Sequence, residues 1–133
     1  MVSAREEYEH LLQRSREFYE TAVMQLEREL YGLASFSLEQ SLQLFPKAVL
    51  LKLGVDHPRT HSVRRRLKLI AEAYPPASGV VDGVLKKYSL ELAALEDVYI
   101  TSRYVPRAFS REEVERLRNV VDEVRKAVSE AVG

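Results

Sequence analysis

Apolar residues recur at steps of three and four along most of this chain, and no segment sustains the period-two alternation of a strand. Tyr8, Leu11, Leu12, Ser15, Phe18, Tyr19, Ala22, Val23, Leu26 and Leu30 fall on one face of a helix spanning residues 4–31. Arg14, Glu17, Gln25 and Arg28 lie opposite. Ser3 stands three residues before Glu6, as a capping residue would. Gly32 is placed for the left-handed residue that closes a helix.

A second helix is expected to start at Ser37, because Ser37-Leu-Glu-Gln40 has capping-box spacing. Leu38, Leu42, Phe45, Val49 and Lys52 share one face. Leu44, Ala48, Leu50, Leu51 and Leu53 make a second apolar face. A helix apolar on most sides is buried on most sides, so this one is either the centre of the domain or the seam of a dimer. Gly54 should end it. Pro46 sits in its interior, where a proline removes a donor and costs about 3 kcal/mol. Packing on both sides is expected to hold a kinked but continuous helix.

Thr60 or Ser62 can cap a third helix, whose stripe is Val63, Leu67, Ile70, Ala71 and Tyr74. Arg64, Arg65, Arg66 and Lys68 take its other faces, and Pro75-Pro76 stops it. Val81, Leu85, Tyr88, Leu92, Leu95 and Tyr99 mark a fourth helix over residues 80–103, weakened in its first half by Gly83 and Ser89. Ser110-Arg-Glu-Glu113 caps a last helix striped by Val114, Leu117, Val121, Val124, Val128 and Ala131. The pattern predicts one all-α domain, residues 1–133, folded as an antiparallel up-and-down bundle of about five helices.

Charge changes the picture only locally. Twenty basic and twenty acidic residues cancel, so the chain as a whole is no electrostatic binder of nucleic acid. The absence of cysteine removes disulfides, thiol chemistry and cysteine-bound zinc. Abundant charge beside a single asparagine, Asn119, suggests a thermophilic source. The first ten residues are acidic without an apolar core, unlike a signal peptide, and no run reaches the roughly 18 apolar residues of a membrane span. A cytoplasmic location is expected, with no membrane partner.

One local patch stands out. His57, Arg59, His61, Arg64, Arg65, Arg66 and Lys68 fall within twelve residues, around a helix start that would also attract anions. It reads either as a phosphate site or as a solvated face paired with acids of neighbouring helices. His57 and His61 are separated by Pro58 and have only Asp56 nearby, which argues against a metal site. His10 falls on the polar side of the first helix. There is no phosphate loop, dinucleotide fingerprint or nucleophile elbow. No cofactor is expected.

Two stretches resemble the HEPN family, the higher-eukaryote and prokaryote nucleotide-binding domain. The first carries Phe36, Gln40, Lys47-Ala48, Leu50, Gly54 and Thr60-His61. The second is the ending Tyr99-x-x-Ser102-Arg103-Tyr104. The resemblance implies a helical bundle of four or five helices, commonly a homodimer. Minimal members often pair with a small nucleotidyltransferase in toxin–antitoxin systems. On this basis Arg59, His61 and Arg103, with Lys47 and Tyr104, are the candidate contacts for a nucleotide or RNA phosphate.

Other members of the family are metal-independent ribonucleases with an arginine and a histidine four to six residues apart. Arg59 and His61 are too close for that motif. Arg5 and His10 have the spacing but lie in the first helix, where it reads as a chance match. No catalytic residue is assigned. A ribonuclease toxin, or a structural assembly partner, is the alternative.

Overall fold

The computed structural model describes residues 2–56, 58–104 and 107–133, and within 100–103 only the backbone path. The described residues form an all-α bundle: α1 Ala4–Glu27, α2 Tyr31–Lys52, α3 Val63–Ala73, α4 Ser78–Lys87, α5 Ser89–Tyr104 and α6 Arg111–Val132, with a 3-10 turn at Pro75–Ala77 before α4. The expected fold class is the one observed. One more helix is present than expected, because the segment after Pro76 is two helices meeting at Tyr88.

Helix α2 is the centre and touches α1, α3, α5 and α6. Its buried residues cover nearly every side, from Ala34 and Leu38 to Glu39, Gln43, Phe45 and Leu50. α1 lies antiparallel along it: Gln25 meets Ser37, Ser15 meets Ser41, and Tyr8 meets Lys52. Small side chains allow that approach. The Ser15 hydroxyl donates to the Ser41 carbonyl at 2.8 Å, and the Ser41 hydroxyl donates to the Ser15 carbonyl at 2.7 Å. Helix α6 runs in the same sense as α2. Its first residue, Arg111, reaches Glu29 beside the start of α2, and the Lys52 ammonium at α2's end donates to the Gly133 carbonyl.

The ends of α1 and α2 depart from expectation. α1 closes at Glu27 and not at Gly32. Glu29 takes the left-handed conformation, at φ 62°. Its amide donates to the Leu26 carbonyl and that of Leu30 to the Gln25 carbonyl, the paired bonds of a Schellman ending. α2 therefore starts at Tyr31, six residues before the expected cap. Ser37 lies inside it and donates to the Gln25 side chain at 2.7 Å, so a capping-box pattern served an interhelical contact instead.

Gly54 does end α2, at φ 75°, with its own amide bonded to Leu51 and that of Val55 to Leu50. The helix runs through buried Pro46 without a break. Neighbouring helices on all sides hold the chain where propensity alone would not. Ser3, Ser62 and Ser110 cap α1, α3 and α6 through the expected side-chain bonds. No described helix is long and apolar enough to cross a membrane.

Candidate functional site

The site grows from one face of α2. Glu39, Gln40, Gln43, Leu44 and Lys47 recur at helical spacing, a stripe that is polar apart from Leu44 on an otherwise apolar helix. The segment 58–61, between α2 and α3, meets this stripe at Gln43, and Tyr99 of α5 adds to the lining. Together with Arg66 these residues line a groove of about 440 Å³, within the size range of small-ligand sites.

Buried polar bonds hold the crossing segment in place. Arg66 is only 3% exposed. Its guanidinium donates to the Gln43 side-chain carbonyl and, at 3.2 Å, to the Pro58 backbone carbonyl. The Gln43 amide donates to the His61 backbone carbonyl at 2.7 Å. Both ends of the crossing are thus tied to one residue pair, and Thr60 tightens it by accepting from the Ser62 amide at 3.0 Å. The His61 ring lies on the Tyr99 ring, with centroids 4.9 Å apart and planes 25° off parallel. Arg59 and His61 remain exposed at the rim.

The electrostatics favour an anion. Lys47 is half-buried. Burial first, and then repulsion from Arg66, lower its pKa, while the Glu39 carboxylate acts the other way. Burial likewise lowers the pKa of Arg66, again opposed by Glu39. Glu39 is fully buried and accepts from the Gln40 amide at 2.7 Å. Among the described residues that line the groove, Glu39 is the one carboxylate, against Lys47, Arg59 and Arg66. Cations crowded beside too few acids are relieved by a phosphate.

Of the residues expected from sequence, Lys47, Arg59 and His61 come together here. Tyr104 does not line the groove; it is 70% exposed on the last turn of α5. The Arg103 side chain, like His57, lies outside the described residues. Arg5 and His10 lie exposed on α1 and line no part of the groove; Arg5 pairs with Glu9 at 3.2 Å.

The basic run divides. Arg64 pairs with Glu96 of α5 through two side-chain bonds, of 2.9 and 3.1 Å, and that partner raises its pKa. Arg65 and Lys68 are solvated. Arg66 corrects the expectation: it is not on the solvated face but inside, as the strut of the groove. Glu39 and Gln43 were not singled out as site residues by sequence, and Arg66 was named only as one member of the basic patch. The one signal for Glu39 and Gln43 was polar residues at a step of four on an apolar helix. No group of three or more metal-ligating side chains gathers among the described residues.

The profile of the HEPN domain family matches residues 8–131. The chain belongs to the HEPN domain family, and the match spans nearly all of the bundle just described. No curated protein matches the chain.

Proposed function

We propose that this protein binds the phosphate of a nucleotide or of RNA in the groove between α2 and the Pro58–His61 crossing. The nucleotide- and RNA-related roles of the family point the same way. The observation that carries the reading is the buried Arg66–Gln43 pair, which fixes Arg59, Thr60 and His61 above half-buried Lys47. Pre-ordered donors of this kind bind an anion with little further ordering cost. Calorimetry with mononucleotides and short RNA tests it. Binding that weakens about tenfold in Arg59→Ala, at unchanged thermal stability, is the expected result. Absence of heat with every ligand removes the reading.

The same reading includes a homodimer acting with a small nucleotidyltransferase in a toxin–antitoxin-type pair, supported by the family resemblance of the α2 and α5 endings. Light scattering of the purified chain tests the dimer, and a monodisperse monomer counts against it. Co-purification of a neighbouring nucleotidyltransferase tests the pairing.

A second reading, metal-independent RNA cleavage, is favoured by one feature: the exposed His61 imidazole shares the groove with Arg59. A histidine and an arginine can serve as proton donor or acceptor and as phosphate clamp. Cleavage of RNA in chelator, lost in His61→Ala and kept in His10→Ala, would support it. Equal activity in both variants and the parent would mark a contaminant.

A further inference from the structure

The charges that meet in the groove do not cancel. Lys47, Arg59 and Arg66 line it against Glu39, the one carboxylate among its described lining residues, which leaves a formal excess of two positive charges. Exposed Asp56 lines no part of it, and Glu96 of α5 is taken up by Arg64. The residues outside the description include no acid, so none of them lowers the excess.

Part of this excess is held out of water. Arg66 is only 3% exposed. Its two bonds go to neutral acceptors, the Gln43 side-chain carbonyl and the Pro58 backbone carbonyl, which fix the guanidinium without cancelling its charge. Its Nε is buried with no hydrogen-bond partner among the described residues. Lys47 is half-buried, and burial and then Arg66 outweigh Glu39 in lowering its pKa. Positive charge removed from water is costly unless a counter-charge stands close by.

We propose that the groove selects a phosphate monoester, the terminal phosphate of a nucleotide or of an RNA end, over the internal phosphodiester of a chain. The inference rests on the phosphate-binding reading above and adds the kind of phosphate. A monoester loses its second proton at about pH 6 and then carries close to two negative charges. An internal diester carries one. The dianion matches the excess, and the diester leaves half of it standing. One unit charge more at a distance of a few Å is worth about a factor of ten or more at the effective dielectric of a protein surface. Free nucleotides and phosphorylated RNA ends share this chemistry.

Titration calorimetry of the full chain at pH 8 tests the proposal. The ligands are AMP, its methyl ester, and one short RNA carrying a 5′-phosphate, a 3′-phosphate or neither. AMP should bind about tenfold more tightly than its methyl ester, or a phosphorylated RNA about tenfold more tightly than the unphosphorylated one. The first result marks a free nucleotide as ligand and the second an RNA end; either supports the monoester. Arg59→Gln removes one positive charge from the exposed rim, so the preference should shrink to about threefold. A preference set by the size of the added methyl group would not respond to that charge. Diester ligands as tight as their monoester counterparts in the unaltered protein overturn the proposal and leave the phosphate reading standing. A preference unchanged in both Arg59→Gln and Lys47→Met also overturns it. No binding of any of these ligands removes both readings. The comparison on the unaltered protein decides even where a variant folds poorly.

Discussion

The Arg66 guanidinium and the Gln43 side-chain carbonyl form a buried hydrogen-bonded pair, and Gln43 in turn holds the His61 backbone. α3 is thereby keyed to α2 through the segment that lies between them. Gln43→Leu leaves a buried guanidinium short of an acceptor and should cost about 1–3 kcal/mol. Arg66→Met leaves the Gln43 and Pro58 carbonyls without their donor and should cost a similar amount, about 1–3 kcal/mol. Urea denaturation of both single variants and the double variant checks the pair. The double should lose clearly less than the sum, and strict additivity would show that the two residues do not act together.

Burial of charged Lys47 comes at the expense of stability. Burial and Arg66 keep its pKa below the ordinary lysine value. The unfolded chain therefore holds that proton more tightly than the folded one. This contribution makes stability rise as pH climbs from the lowered native pKa toward the ordinary lysine value; at neutral pH the charged lysine is a net cost. Lys47→Met should raise the melting temperature at pH 7 while weakening nucleotide affinity about tenfold. A lower melting temperature in that variant would contradict the assigned sign.

The Ser15–Ser41 clasp sets how closely α1 lies on α2. Both serines are fully buried, and each hydroxyl donates to the other's backbone carbonyl. Ser15→Ala should cost about 1 kcal/mol for the lost bond. Ser15→Leu should cost about 1–3 kcal/mol, because the added volume pushes the helices apart. Thermal melts of the two variants should therefore rank alanine above leucine. The reverse order would mean that α1 has room to spare.

Glu29 occupies a left-handed position that glycine fits without strain. Its side chain also forms an ion pair with Arg111 at 3.5 Å, between exposed groups, which adds little. Glu29→Gly should stabilise the protein by about 1 kcal/mol, read as a shift of the urea midpoint with an unchanged slope. A loss of stability would show that the exposed pair matters more than the backbone.

Much of the helical order could be read along the chain. Ser3, Ser62 and Ser110 cap the helices they precede, and Gly54 closes α2, because capping needs only residues a few positions apart. The misreadings share a cause. Gly32 and Ser37 are both good punctuation, yet Gly32 does not close α1 and Ser37 does not open α2, since Glu29 closes α1 and Tyr31 already opens α2. Local signals compete, and packing chose among them: Ser37 reaches Gln25 across the α1–α2 interface.

By itself the sequence determined the all-α class, an α2 apolar on most sides and the basic segment that contains Arg59 and His61. Each follows from neighbours within a turn or two, where a period of 3.6 decides which side chains share a face. Only the tertiary structure decided which of those basic residues line one groove. Arg64, on the same helix as Arg66, is drawn to Glu96, while Arg66 turns inward to Gln43. Tyr99 comes from a distant helix to stack on His61. Those partners lie far apart in the chain, and a buried charge has to find its hydrogen bonds wherever the packed helices place them.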